Sequence, residues 1–163
     1  MDAYTEKTKI WLDERFDSCD KEGIYPAHQP IYGFRKGHSE PGLIFRYITT
    51  YNIMRALTHL KFDSFLDVGG AEGYKAYVVK ELFGVKVKTT DLSIEACKRA
   101  KEIFHLDAQP VDIHKLPFSD SEFDVVLCSA MLEHITNFQQ GLEELLRVAR
   151  KAVVITIPHD DKN

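Results

Sequence analysis

A glycine-rich turn lies between a short apolar run and a helical pattern, an arrangement suited to binding a nucleotide-like molecule. The apolar run 65–68 precedes the turn, and the helical pattern extends from Tyr74 to Phe83. The turn contains Gly69, Gly70, Ala71 and Gly73. Glycines let the backbone approach a ligand closely, and the N-terminus of the following helix offers unpaired N–H groups. We therefore expect a strand, a tight turn and a helix that together hold a small molecule.

The spacing of these glycines argues against a dinucleotide. The dinucleotide fingerprint has glycines at relative positions 1, 3 and 6. Counted from Gly69, those positions hold Gly69, Ala71 and Tyr74, so only the first matches. A nicotinamide-dependent oxidoreductase is accordingly the disfavoured alternative.

Acidic residues follow or end three of the predicted strands. Asp67 lies just before the glycines, and Asp91 and Asp112 end the next two apolar segments. Ligands of parallel α/β sheets bind outside the carboxyl ends of the strands, so we expect these carboxylates to lie near one site. Asp91, 22 positions after Gly69, can accept hydrogen bonds from both hydroxyls of a ribose. The alternative for Asp91 is a structural cap on the following helix.

Strand and helix patterns alternate through the second part of the chain. This alternation predicts an α/β fold: a doubly wound, mainly parallel Rossmann-like sheet with helices on both faces. Predicted strands are 65–68, 85–90, 108–111, 123–128 and 152–157; predicted helices are 6–19, 43–60, 74–83, 93–104 and 136–150. Gly84 and Ser93 are predicted caps, and Thr136 with Gln139 resembles a capping box.

Two regions follow from this pattern: N-terminal helices with a lid-like loop over 1–61, and a cofactor-binding core over 62–163. The loop 22–42 lacks core-forming periodicity and is rich in aromatic and basic residues. Loops of this length are often lids or binding segments. The alternative is a loop packed by its own aromatic side chains.

Composition limits the classes of binding partner and the cellular compartment that the sequence predicts. The net charge of −4 argues against nucleic-acid binding driven by phosphate neutralisation. Three widely spaced cysteines without metal-ligand spacing predict reduced thiols, no metal site and a cytoplasmic protein. The first residues lack the features of a signal peptide, and the helix 43–60 is amphipathic rather than membrane-spanning.

The form Asp-x-Gly-x-Ala-x-Gly at 67–73 resembles motif I of the Rossmann-like (class I) S-adenosylmethionine-dependent methyltransferases. Ala71 stands where that family usually has its middle glycine. The segments 112–118 and 123–126 resemble the family's connection between strands three and four, and 129–135 resembles the segment after strand four. The resemblance covers about residues 62–158.

This resemblance implies S-adenosyl-L-methionine as cofactor and a role for each matching position. Gly69, Gly70, Ala71 and Gly73 would shape the methionyl pocket, with Asp67 near the ammonium group. Asp91, with Leu92 beside it, would hold the ribose, and Asp112 and Ile113 would hold the adenine. Cys128 and Ser129 would line the floor beneath the sulfonium. His134 is the first candidate for a general base because its ordinary pKa lies near neutrality; a pocket histidine bonded to the backbone is the alternative. Glu133, Tyr32, His28 and His38 are further candidates.

The sequence departs from the family after strand five, because the usual sheet continues with two more strands. Strand five would then have an unpaired edge. Another chain covers this edge, the N-terminal segment covers it, or the sequence is a piece of a longer protein; of these alternatives we predict self-association through the edge. The predicted function is methyl transfer to a small-molecule or glycan-like acceptor. A non-catalytic S-adenosylmethionine-binding module is the second hypothesis, since the last strands are missing.

Overall fold

The computed structural model describes residues 2–17 and 41–157. Within them, five parallel strands form one sheet in the order β3-β2-β1-β4-β5. The strands are β1 (Ser64–Val68), β2 (Lys86–Asp91), β3 (Asp107–Pro110), β4 (Phe123–Ser129) and β5 (Ala149–Thr156). The helices are α1 (Ala3–Asp17), α2 (Pro41–Leu57), α3 (Tyr74–Phe83), α4 (Ile94–Phe104) and α5 (Phe138–Val148), with one-turn 3₁₀ helices at Ile113–Lys115 and Leu132–His134. The predicted doubly wound α/β fold is confirmed.

Apolar side chains of the central strands alternate between two cores, one on each face of the sheet. On one face, Leu66 and Val126 pack with Leu145 of α5. On the other face, Phe65 and Val125 pack with residues of α2 and α3. This alternation follows from the two-residue period of a strand. Every residue of β4 is buried, as its unbroken apolar run predicts.

Two of the predicted caps are confirmed and one is wrong. Gly84 ends α3 in the left-handed conformation, with φ +64°, and the Ser93 side chain accepts a hydrogen bond from the Ala96 N–H at 3.1 Å. Helix α5, however, is capped by Asn137, whose side-chain oxygen accepts from the Gln140 N–H at 3.2 Å. The Thr136 hydroxyl instead donates to Asp2 at 3.3 Å. The α5 start therefore lies one residue later than the capping-box prediction needs.

The apolar residues of two helices are only partly buried. Among the described side chains of α2, Ile53, Met54 and Leu57 of the last turns are buried, whereas Ile44, Ile48 and Tyr51 are exposed. In α5 the buried stripe is Gly141, Leu145 and Val148, and the apolar residues Phe138 and Leu146 are exposed. Both helices contain more apolar residues than one face can bury, so the spacing alone does not select the face.

A buried carboxylate joins the amino ends of three strands. Asp124 of β4 accepts hydrogen bonds from the Asp63 N–H at 2.8 Å and the Arg150 Nε at 2.7 Å, and Lys151 lies 3.1 Å away. The backbone donor and the two cations hold the pKa of Asp124 well below its usual range. This cluster lies at the opposite end of the sheet from the strand ends that carry the predicted site.

Strands β3 and β5 are the two edges of the sheet in the described part of the chain. Most of the predicted lid, 22–42, lies outside the described residues, and the division into 1–61 and 62–163 remains a prediction. None of the helices in residues 2–17 and 41–157 has the length and apolar character needed to cross a bilayer.

Candidate functional site

A cavity of about 710 Å³ lies at the carboxyl ends of the strands and is covered by α1. Its volume is in the range of pockets that hold drug-sized ligands, about 300–1,000 Å³. Seven of the sequence-predicted site residues line it: Gly69, Ala71, Asp91, Leu92, Asp112, Ile113 and His134. The sheet order brings them together because β1, β2, β3 and β4 end at the same edge.

Asp91 ends β2 and fixes the glycine-rich turn against the start of α4. One carboxylate oxygen accepts from the Ala71 N–H at 2.9 Å, and the other accepts from the Ser93 N–H at 2.9 Å. Burial raises the pKa of Asp91, and these backbone donors oppose the rise. Each carboxylate oxygen has a second lone pair, so Asp91 can brace the turn and still accept a ligand's hydroxyl.

The glycines of the turn leave space that a side chain would fill. Gly69 has φ +72°, and a methyl group on it would lie 2.6 Å from Cγ of Met131, which also lines the cavity. A methyl group on Gly70 would overlap Oγ1 of Thr89 and lie 2.7 Å from Oδ2 of Asp67. Both positions therefore require glycine, the first for its conformation as well.

Asp67 lies beneath this turn rather than in the cavity wall. It is 1% exposed, and its Oδ2 has no hydrogen-bond partner among the described residues. Burial raises the pKa of Asp67 to about 6; the positive charge of Lys75 opposes the rise and the negative charge of Asp91 adds to it. The Thr89 hydroxyl oxygen is likewise buried and without a partner in the described part of the chain. Two adjacent buried polar atoms therefore remain available to a polar group at the turn.

Asp112 and Ile113 form the wall beyond β3. The Asp112 carboxylate accepts from the His114 N–H at 3.0 Å and lies 2.6 Å from Nδ1 of the same histidine. Ile113 is buried, and Leu92 lines the cavity from the end of β2. A cavity wall with a carboxylate and two branched apolar side chains suits a flat ring that carries an amino group.

Helix α1 covers the cavity, which the sequence did not predict. Near its C-terminus, Asp13 accepts from the Ser93 hydroxyl at 2.5 Å and from the Glu95 N–H at 3.3 Å. Phe16, 4% exposed, packs with Ala96 of α4. At the other end of α1, Asp2 accepts the hydrogen bond from Thr136. The helix thus spans the cavity from the start of α4 to the segment after β4.

The comparisons with known proteins agree with this geometry. The sequence model of the "Methyltransferase domain" family matches residues 66–157, more than half of the chain. The chain belongs to this family of class I S-adenosylmethionine-dependent methyltransferases.

Individual relatives are distant and longer than this chain. Norajmaline N-methyltransferase of Rauvolfia serpentina is 29% identical over 104 residues, which are 60% of this chain and 36% of the relative. A tRNA U34 carboxymethyltransferase of Campylobacter curvus is 25% identical over 135 residues, or 77% of this chain and 45% of the relative. The chain thus spans less than half the length of these two relatives.

Solved structures show the same fold. Geranyl diphosphate C-methyltransferase of Streptomyces coelicolor, solved with Mg²⁺, geranyl diphosphate and S-adenosyl-L-homocysteine, superposes with a TM-score of 0.70 at 16% identity, covering 95% of this chain and 65% of that one. A putative methyltransferase of Bacillus halodurans gives a TM-score of 0.62 at 23% identity, covering 70% and 52%.

Five predicted site residues of this methyltransferase domain do not line the cavity. Asp67 lies beneath the turn, a side chain at Gly70 would point toward Asp67 and Thr89, and the space beside Gly73 is filled by Leu106 and Ala100. Cys128 is fully buried, and burial raises the pKa of its thiol to about 12. Ser129 shares a 2.7 Å hydrogen bond with the Thr156 hydroxyl. Ala130 and Met131, which follow β4, line the cavity in place of Cys128 and Ser129.

His134 lines the cavity from the one-turn helix after β4. Its side chain is 72% exposed, and its Nε2 lies 3.8 Å from a carboxylate oxygen of Glu133. An exposed imidazole can exchange protons with water directly, which suits proton removal. No group of three metal-ligating side chains occurs among the residues that the structure describes.

Proposed function

We propose that this chain binds S-adenosyl-L-methionine in the cavity beneath α1 and transfers its methyl group to a small-molecule acceptor. The observation that carries the proposal is the convergence of Gly69, Asp91 and Asp112 on one cavity in a chain of the methyltransferase family. Asp91 would accept hydrogen bonds from the ribose hydroxyls. Asp112 would accept one from the adenine amino group, with Leu92 and Ile113 on either side of the ring.

The residues at the turn fit the methionyl part of the cofactor. Gly69 leaves space at the cavity wall, and the buried Asp67 carboxylate below Gly70 has one oxygen, Oδ2, without a hydrogen-bond partner among the described residues. An ammonium group at the turn would offset the cost of burying that charge. Asp67 would act on the ammonium group electrostatically, from the other side of the turn, because its side chain does not line the cavity.

When bound, S-adenosyl-L-methionine supplies an activated methyl group, whose carbon–sulfur bond breaks with its electron pair passing to sulfur as the acceptor's lone pair forms the new bond. The cavity walls align the acceptor and exclude water. His134 would take the proton that an oxygen or nitrogen acceptor loses, and its exposure lets it pass that proton to solvent. Glu133, with a carboxylate oxygen 3.8 Å from His134 Nε2, would be the second candidate for this base.

A small acceptor fits this chain better than a nucleic acid. The named relatives include an enzyme of each kind, an N-methyltransferase and a tRNA carboxymethyltransferase. The net charge of −4 favours the small molecule, because nucleic-acid binding depends on neutralising phosphates. A glycan-like acceptor remains within the proposal.

Calorimetry with S-adenosyl-L-homocysteine tests the binding step, and product formation against an acceptor panel tests transfer. We expect saturable binding that is lost in Asp91→Ala, with Asp107→Ala as the matched control on an exposed aspartate at the far end of β3. Binding without turnover on any acceptor would favour the non-catalytic module. Tight binding of NAD with none of S-adenosyl-L-homocysteine would overturn the proposal in favour of an oxidoreductase.

Two further proposals concern the state of the protein. Cytoplasmic localisation rests on the cysteine usage. Self-association rests on the position of β5 at the sheet edge, with Ile155 and Ile157 exposed. Sedimentation over a range of concentrations tests the second, and a monomer at every concentration would refute it.

A further inference from the structure

Helix α1 presents two adjacent stripes of side chains to the cavity. The inner stripe is Thr5, Thr8, Leu12 and Phe16, and the outer flank is Tyr4, Lys7, Trp11 and Arg15. Residues three or four apart lie on the same face of a helix, so each set forms a row. Members of the inner stripe are buried or partly buried, whereas Tyr4 and Trp11 are 54% and 52% exposed. The outer flank therefore lines the open side of the cavity.

The outer flank combines aromatic rings with positive charge. The Arg15 guanidinium lies 4.6 Å from the centre of the Trp11 ring, a stacking distance. Lys7, one turn before Trp11, makes no ion pair within residues 2–17 and 41–157. Neither Glu6 nor Glu14 of α1 lines the cavity.

The carboxylates that line the cavity in the described part of the chain, Asp91 and Asp112, come from the ends of β2 and β3 and not from α1. The Asp91 oxygens accept backbone hydrogen bonds, and Asp112 is bonded to His114. In the proposed function these two carboxylates face the cofactor. The part of the cavity that remains for a second ligand is therefore the aromatic and cationic flank of α1.

We propose that the outer flank of α1 binds the methyl acceptor, and that the acceptor is a planar aromatic molecule carrying an anionic group such as a carboxylate. This inference rests on the proposed function. Trp11 and Tyr4 offer flat apolar surfaces at a low cost in side-chain entropy, and Lys7 and Arg15 complement the anion. The two cations that the described residues place on this flank are fewer than the many phosphate contacts through which a nucleic-acid backbone is bound.

Trp11 is the single tryptophan of the chain, so its fluorescence reports directly on this flank. The probes are 4-hydroxyphenylacetate, its amide and tyramine, which share one ring and one hydroxyl and differ in charge. Each is titrated at constant ionic strength into protein saturated with S-adenosyl-L-homocysteine. We expect the acid to give a saturable change at a concentration at least about fivefold lower than the amide or tyramine, the scale of an exposed charge contact.

The double variant Lys7→Gln/Arg15→Gln should weaken binding of the acid about tenfold and leave binding of the amide unchanged. Lys86→Gln, an exposed lysine at the amino end of β2, is the matched control and should bind the acid like the parent protein. Trp11→Phe, followed by calorimetry, should retain the preference for the acid, because an aromatic ring remains.

The outcomes separate this inference from the proposed function. Absence of S-adenosyl-L-homocysteine binding would overturn the proposed function, and the inference would fall with it. Normal binding of S-adenosyl-L-homocysteine with equal affinities for the three probes, or a preference for tyramine, would overturn the inference alone. The inference would also be overturned if a single-stranded RNA bound more tightly than the acid and its binding depended on Lys7.

Discussion

Replacing Asp91 by asparagine separates the structural role of this carboxylate, which its hydrogen bonds show, from the ribose binding that we propose for it. The substitution keeps the shape of the side chain but replaces one acceptor oxygen by a donor NH₂ group. In the protein, both oxygens accept from backbone N–H groups, of Ala71 and Ser93, each at 2.9 Å. An asparagine can satisfy only one of these donors and must place its NH₂ group against the other.

Two magnitudes follow from this geometry. Loss of one charge-assisted hydrogen bond costs about 1.5–3 kcal/mol of folding free energy. Burial raises the pKa of Asp91, which means that the folded protein disfavours the charge; removing that charge offsets part of the cost. Binding of S-adenosyl-L-homocysteine has no such offset, so we expect its free energy to weaken by the full amount of about 1.5–3 kcal/mol, or about tenfold to 150-fold in Kd.

Urea unfolding and calorimetry measure the two effects on the same preparation. Asp107→Asn is the control, since Asp107 is an aspartate whose side chain is 62% exposed and pairs with Lys88 at the other end of the sheet. We expect the control to change stability by less than about 0.5 kcal/mol and to leave Kd unchanged. An Asp91→Asn protein that folds and binds S-adenosyl-L-homocysteine with the parent Kd would remove Asp91 from the site and refute the reasoning.

Three further predictions concern other carboxylates. Asp13→Asn should loosen α1 from Ser93 and raise amide hydrogen exchange across 3–17, while Asp17→Asn on the same helix should not; equal exchange in both would contradict the anchoring role of Asp13. Because the pKa of Asp67 is raised to about 6 in the folded state, stability should fall by up to about 3 kcal/mol as pH rises from about 4 through 6; Asp67→Asn should abolish that trend in urea unfolding at pH 5 and pH 7. The pH dependence of stability that Asp124 causes has the opposite sign. Its lowered pKa stabilises the fold above about pH 4, and stability should be lost as pH falls below that value. Asp124→Asn should cost about 3 kcal/mol at pH 7 and reduce the acid sensitivity, measured by the same titration.

The features that the sequence predicted correctly are those encoded by neighbouring residues. The bounds of α3 follow from the glycine turn before it and Gly84 after it. Ser93 caps α4 because its hydroxyl reaches an N–H three residues later. The gathering of Asp91 and Asp112 at one cavity also follows from local order, since parallel strands joined by helices all end at the same edge.

The features that the sequence left open depend on packing between distant segments. The apolar residues of α5 fill more than one stripe, and contact with the sheet selects the one through Leu145 while leaving Phe138 and Leu146 exposed. Thr136 and Asn137 are both good caps, and the choice between them reflects the hydrogen bond of Thr136 to Asp2, far away in sequence. The docking of α1 is of this kind too, because its apolar residues do not form one distinct face and Ile10 and Trp11 remain exposed, so no local pattern specifies what the helix covers.

One departure from the methyltransferase pattern carries information about that docking. Ala71 stands where the family usually has its middle glycine, and it adopts a left-handed conformation with φ +51°. For a residue with a side chain this costs about 1–2 kcal/mol. The Ala71 methyl group packs in the apolar cluster of Phe16, Leu12 and Ala96, which joins α1 to the turn and to α4. A glycine at position 71 would relieve the backbone strain, but it would lose the contact between the turn and α1, the helix that covers the cavity. The alanine is therefore best explained by its contact with α1, because the turn that lines the cavity is also a surface on which α1 packs.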